Sequence, residues 1–214
     1  MDEKEIKAMV LDRLLQTGQI GASSLVFNEM HLAKKNRRID LGYVRLEEMI
    51  AIEVKSEKDS LFRLEGQVLE YRKYFDRVVV VAAPKFSAAV MTLVDDDVAV
   101  WEVSSCGIRV VRRGRLIKES SKNDYLSLMT KREVSQVAKK LDIAAEKFAM
   151  YELKIEVLKK ISKISKADMK TILLDGVHKR FGMASNRFLS KVIVAGAVSS
   201  SDVTLLSPYL LHKS

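Results

Sequence analysis

Cysteine, proline and histidine are scarce in these 214 residues, with one, two and three copies. A single thiol, Cys106, excludes an internal disulfide, and its place in the polar turn Ser104-Ser105-Cys106-Gly107 reads as a bystander rather than a nucleophile. His31, His178 and His212 lack metal-ligand spacing, which sets a zinc site aside. Two prolines beside 48% apolar residues describe an ordered, well-packed chain with room for one core and an appendage. No apolar run is long enough to span a membrane, and the start MDEKEIKAMV is charged rather than signal-like, so a cytoplasmic location is expected. Internal repeats and low-complexity linkers are also missing.

What is present is concentrated between Arg37 and Asp76. In RRIDLGYV, Ile39, Leu41 and Tyr43 fall on one strand face and Asp40, Gly42 and Val44 on the other. In IAIEVKS, Ile50, Ile52 and Val54 share a face, opposite Ala51, Glu53 and Lys55. The short polar link from Arg45 to Glu48 predicts an antiparallel hairpin. With the turn centred between Leu46 and Glu47, Asp40 lies across from Glu53 and Gly42 across from Ala51. Two facing carboxylates roughly 5 Å apart at Cβ destabilise a sheet unless a cation neutralises them. Gly42 and Ala51 beside them are expected to leave an open floor for a phosphodiester. Oxygen ligands at this spacing suit Mg²⁺ or Mn²⁺, and Lys55 points the same way as Glu53 to orient a water or stabilise developing charge.

Downstream, Asp59 is expected to cap a helix from Ser60 with Leu61, Leu64, Val68, Tyr71 and Phe75 inward. Arg63, Gln67, Tyr71 and Tyr74 flank that stripe, so Gln67 and Tyr71 can reach the strand-borne site together. Val78 to Ala83 reads as a strand buried on both faces after a crossover helix.

Glu29, Asp40, Glu53-Val54-Lys55 and Gln67-x-x-x-Tyr71 together resemble the PD-(D/E)xK nuclease superfamily, with the Gln-x-x-x-Tyr element resembling its RecB-type branch. The run from Asn28 through YFDRVVVVA is also similar to a family of small bacterial and phage proteins of poorly defined role. The resemblance spans about residues 26 to 103, and Ile39-Asp40 stands where the motif usually has Pro-Asp. It implies an α/β, restriction-endonuclease-like core, a mixed sheet flanked by helices. It also implies Asp40, Glu53 and the Val54 carbonyl as metal ligands, Lys55 as the base-like group, and Gln67 and Tyr71 as accessory catalytic residues. Glu29 would complete the metal shell from the first helix or its end.

Charge divides unevenly: residues 1–107 hold 15 basic and 18 acidic side chains, residues 108–214 hold 22 and 10. A basic half beside an acidic metal site suits a nucleic-acid substrate. Elements are expected at Lys4 to Gln16 (helix), Pro84 to Val94 (helix) and Asp97 to Gly114 (hairpin). Helices follow over 123–141, 144–165 and 166–181, with a last apolar segment at 188–198, helical or extended. The domains expected are a nuclease-like core over 1–118 and a basic helical extension over 119–214, packed on or beside the core. TKREVSQVAKKLDI could open a DNA-binding helix-turn-helix or be an ordinary amphipathic helix. Aromatic residues are too few for a single-strand stacking platform there. The expected function is metal-dependent hydrolysis of nucleic acid, with DNA as substrate. The alternative is a catalytically silent nucleic-acid-binding or partner-recruiting module, and the extension could hold a protein partner or a second copy.

Overall fold

The computed structural model describes residues 1–32, 37–117 and 119–207. Lys118, the expected core boundary, and His212 lie outside them.

Helix α1 (Glu3–Gln16) starts in a reciprocal capping box. Asp2 accepts from the Glu5 amide at 2.8 Å, and the Glu5 carboxylate accepts from the Asp2 amide at 2.8 Å. Strands β1 (Leu25–Asn28), β2 (Leu41–Arg45) and β3 (Glu48–Lys55) then form an antiparallel meander. The β2–β3 turn is Leu46-Glu47, both left-handed with φ of 48° and 63°. That is the backbone of a two-residue hairpin turn whose twist matches the strands. It sets Gly42 opposite Ala51 and Leu41 opposite Ile52, so Asp40 enters one step beyond, level with Glu53.

Strand β4 (Arg77–Ala82) pairs parallel to β3, and β5 (Ala99–Ser104) parallel to β4, while β6 (Gly107–Arg112) closes an antiparallel hairpin. Parallel neighbours need crossovers, supplied by α2 (Leu64–Tyr71) and by α3 (Ser87–Leu93) after a 3₁₀ turn at Pro84–Phe86. The result is a six-stranded mixed sheet in the order β1 to β6, flanked by helices. One face buries Met49, Ala51, Val78, Val80 and Val100 under α2, α3 and the C-terminal helices. The other buries Ile50, Ile52, Val79, Val81 and Trp101 against α1 residues Ile6, Val10 and Leu14.

The C-terminal part comprises α4 (Lys122–Leu128), α5 (Lys131–Lys140), α6 (Met150–Lys160) and α7 (Lys166–Ala195). Where one helix is expected over 123–141, there are two. A second capping box, with the Glu133 carboxylate accepting from the Thr130 amide at 2.6 Å, stops the first and starts the next. The 144–165 segment is helical only over α6, between 3₁₀ turns at Ala145–Lys147 and Ile161–Lys163. The two segments expected around Phe181 and Phe188 are one 30-residue helix, α7. It passes Gly176 against the buried Glu133, where a Cβ would collide with the carboxylate. It then runs along the outer edge of β1. There Ser185 Oγ accepts from the Val26 amide at 2.8 Å and Phe181 packs on Phe27, with ring centroids 5.4 Å apart. An unpaired strand edge is thereby covered by a helix. Helix α7 contributes Phe181 to one core cluster and Phe188, Leu189 and Val192 to the other. Among the described residues, no helix is long and apolar enough to cross a membrane.

Two local expectations are corrected. Asp59 does not cap the second helix, which starts at Leu64. Its carboxylate instead accepts from the Ser56 amide at 2.8 Å and hydroxyl at 2.5 Å, closing a turn after β3. Gly42 and Ala51 are not an open floor. Both are buried, and the Phe27 ring lies where a Gly42 Cβ would be.

Candidate active site

Glu53, at the C-terminal end of β3, is 1% exposed. A buried carboxylate needs donors, and three side chains provide them. Lys55 Nζ donates to Oε1 at 2.6 Å, Gln67 Nε2 makes a short bond to the same oxygen, and the Tyr71 hydroxyl donates to Oε2 at 2.6 Å. Lys55 Nζ also donates to Gln67 Oε1 at 3.1 Å, and the Tyr71 hydroxyl lies 3.1 Å from the Arg38 carbonyl. Burial, and then the neighbouring Glu53 charge, push the Tyr71 phenol well above its usual range, which keeps it a donor. The strand places Glu53 and Lys55 two residues apart on one face, and α2 places Gln67 and Tyr71 one turn apart above them.

Asp40 approaches from the start of β2. Its Oδ2 accepts from the Val54 amide at 2.8 Å. Burial, and then Glu53, push its carboxyl up to about 7, with the Val54 amide opposing. Val54 turns its amide to the β2 side, whereas the Lys55 carbonyl bonds to Ala83 on the β4 side. A residue's N–H and C=O leave an extended strand on the same edge, so the Val54 carbonyl also lies on the Asp40 side.

These groups floor a polar cleft of about 640 Å³, lined by Asp40, Glu53, Val54, Lys55, Asp59 and Gln67 among others. Its remaining walls are Glu3, His31, Arg37, Arg38 and Arg63. Glu29 is not among them. It sits at the end of β1 with φ of 57°, not on a helix, and its carboxylate pairs with Arg38 Nη1 at 2.9 Å and faces Lys7 Nζ at 3.9 Å. The reason is local: residues 25–28 pair with β2, which draws Glu29 to the sheet edge. The acid that α1 brings to the cleft is Glu3, bonded to the buried Lys7 at 2.6 Å. Sequence reasoning missed Glu3, because a first-turn acid already reads as a helix-dipole residue, and set His31 aside because it lacks a partner at metal-ligand spacing. Tyr74, expected on the flank, turns away to donate to Glu70 at 2.8 Å.

A family model described as bacteriophage P4 protein cII matches residues 1–207. The chain belongs to this cII family. Protein cII of Enterobacteria phage P4 is 31% identical over 209 residues, covering 96% of this chain and 77% of the phage protein. Among solved structures, a protein of unknown function from Silicibacter pomeroyi is similar over 65% of this chain and 93% of its own, at 16% identity and a TM-score of 0.41. A second protein of unknown function covers 76% of this chain and 100% of its own, at 15% identity and a TM-score of 0.31. The site of this cII family member is described by its own geometry.

That geometry can be tested against a divalent ion. Among the described residues, no group of three or more His, Cys, Asp or Glu side chains is gathered to hold a metal unaided. The donor set is smaller: Asp40, Glu53 and the Val54 carbonyl. Mg²⁺ commonly takes one or two carboxylates and keeps several waters, so this set fits it. Among the described residues, Asp40 has the Val54 amide and no ion pair, whereas Glu53 has Lys55.

Proposed function

We propose that this cII family member is a Mg²⁺- or Mn²⁺-dependent nuclease with a restriction-endonuclease-like core, hydrolysing phosphodiester bonds in DNA. One observation carries the reading: Asp40 and Glu53 lie together in a cleft that also presents the cations Arg37, Arg38, Lys55 and Arg63, beside Glu3, His31, Asp59 and Gln67. A surface that only binds phosphate gains nothing from two acids among its cations. A hydrolytic site needs both kinds of group.

Asp40, Glu53 and the Val54 carbonyl would hold the ion, and Glu3 takes the place expected for Glu29 as the helix-borne acid. When bound, a divalent ion supplies an acidified water and neutralises charge on the phosphoryl oxygens. Lys55, fixed between Glu53 and Gln67, orients the attacking water and stabilises negative charge as it develops. Gln67 and Tyr71 keep Glu53 and Lys55 in register. Arg37, Arg38 and Arg63 hold the phosphates on either side. Some of the C-terminal cations have partners within the chain: Lys140 with Asp168, Lys170 with Asp76 and Arg180 with Glu133. Phosphate binding is assigned first to the cleft cations because they lie beside Asp40 and Glu53.

A second reading, a catalytically silent nucleic-acid-binding or partner-recruiting module, is favoured by the three protein donors that already satisfy Glu53. A panel of duplex, single-stranded, flapped and branched DNA with Mg²⁺ or Mn²⁺ decides. Cleavage by the wild-type chain that disappears in Glu53→Gln supports the nuclease, and binding of every substrate with cleavage of none supports the silent module.

A further inference from the structure

The loop from Ser56 to Arg63 carries the most exposed large apolar residue described, Phe62, at 95%. Its neighbours are at the cleft: Arg63, the next residue, and Asp59, three before, both line it. The loop is not slack, since Asp59 closes it onto Ser56 and the Phe62 amide donates to Ser60 Oγ at 3.2 Å. A phenyl group held almost wholly in water contributes no burial to the fold, whereas Leu61 and Leu64 on either side pack into the core. The same cleft is lined by cations that suit a phosphate backbone, Arg63, Arg37 and Arg38.

We propose that Phe62, on the loop whose Asp59 and Arg63 line the cleft, is a stacking platform for an unpaired nucleobase, which makes single-stranded or locally unpaired DNA the preferred substrate class. This rests on the nuclease reading for the position of the phosphodiester, but it is tested by binding alone. The phosphates flanking the unpaired base lie on Arg63 and its neighbours, and the base leaves water by covering the ring face. Bases inside a duplex have no free face to offer. Stacking on an aromatic ring is sequence-tolerant, so the preference is for strand state and not for sequence.

The test uses the full chain, with Ca²⁺ in place of Mg²⁺ so that strands survive, and a short single-stranded oligodeoxynucleotide carrying 2-aminopurine at successive positions. Quenching of 2-aminopurine at one position is expected with the wild-type chain and with Phe62→Trp, and its loss with Phe62→Ala and Phe62→Leu. Affinity for the single strand should fall about five- to a hundredfold in the last two, and affinity for blunt duplex should hold. Unchanged melting temperatures are expected, since the ring is outside the core. Undiminished quenching in Phe62→Ala, an equal loss on single strand and duplex, or no single-strand binding by the wild-type chain would each overturn the proposal. So would unchanged DNA binding accompanied by altered self-association, which would make Phe62 a protein contact. Failure of the nuclease reading is recognised separately, by absence of cleavage with Mg²⁺ and Mn²⁺ while the Phe62-dependent quenching remains.

Discussion

The Tyr71 hydroxyl donates to Glu53 Oε2 over 2.6 Å, joining the crossover helix α2 to the C-terminal end of β3. Tyr71 is itself fully buried, so this bond is made where water cannot replace it. Tyr71→Phe keeps the ring and removes the donor. A loss of about 1 to 3 kcal/mol of stability is expected from the uncompensated carboxylate, read as a lower denaturation midpoint. An unchanged midpoint would mean that Glu53 finds another partner.

A divalent ion held by Asp40 and Glu53 would stabilise the folded state by mass action, by about 1 to 3 kcal/mol near saturation. Thermal melts with and without Mg²⁺ or Mn²⁺ read this directly. Glu53→Gln should remove the gain, and equal shifts in variant and wild type would remove the site from consideration.

Lys55→Ala takes away the cation beside Glu53 while leaving Arg37, Arg38 and Arg63. Cleavage should drop by about 10²- to 10³-fold with little change in DNA affinity. Parallel loss of both would identify Lys55 as a phosphate anchor instead. Folding must be checked by melting, because Glu53 would then rely on Gln67 and Tyr71.

Gly42 is fixed by Phe27, a fully buried ring that occupies the space of a Cβ. Gly42→Ala should cost about 1 to 3 kcal/mol through overpacking. Combining it with Phe27→Leu should recover part of the loss. Additive destabilisation in the double variant would show that the two positions do not share that space.

Asp202 anchors the 3₁₀ turn Asp202–Leu206. Its hydrogen bond to Lys191, and then those to Ser199, hold its carboxyl down at about 2, against an ordinary 3.8. A lowered folded-state pKa contributes stability above the unfolded value and loses it as pH falls through the folded one. The stability gap between wild type and Asp202→Asn should therefore be constant above about pH 4 and close between about 4 and 2. A gap that persists at pH 2 would contradict this.

The hairpin and its register were legible because period-2 alternation and a two-residue link leave one solution that keeps Leu41, Ile50 and Ile52 inside. Asp40, Glu53 and Lys55 came together for the same reason, and Gln67 and Tyr71 joined them through the four-residue spacing of α2. The turn chemistry was not legible, since neither Leu46 nor Glu47 is a residue that favours positive φ. Thr130-x-x-Glu133 was a readable capping box hidden inside a longer amphipathic pattern. Gly176, Gly182 and the polar run around Asn186 made α7 look like two segments, although Gly176 is there for Glu133 and Ser185 for β1. Glu3 lines the cleft and Glu29 does not, because acids at a strand end and at a helix start are local choices that only the tertiary fold distinguishes.

The bond between the Val26 amide and Ser185 spans 159 residues of chain. On a ribosome adding about 5 to 20 residues per second, β1 is made roughly 10 to 30 s before the helix that seals it. Throughout that interval the nascent sheet has an open margin able to pair with any extended strand nearby. The time at which this margin of the sheet is closed to its neighbours is thus set by the last long helix, well after the cleft residues have left the ribosome.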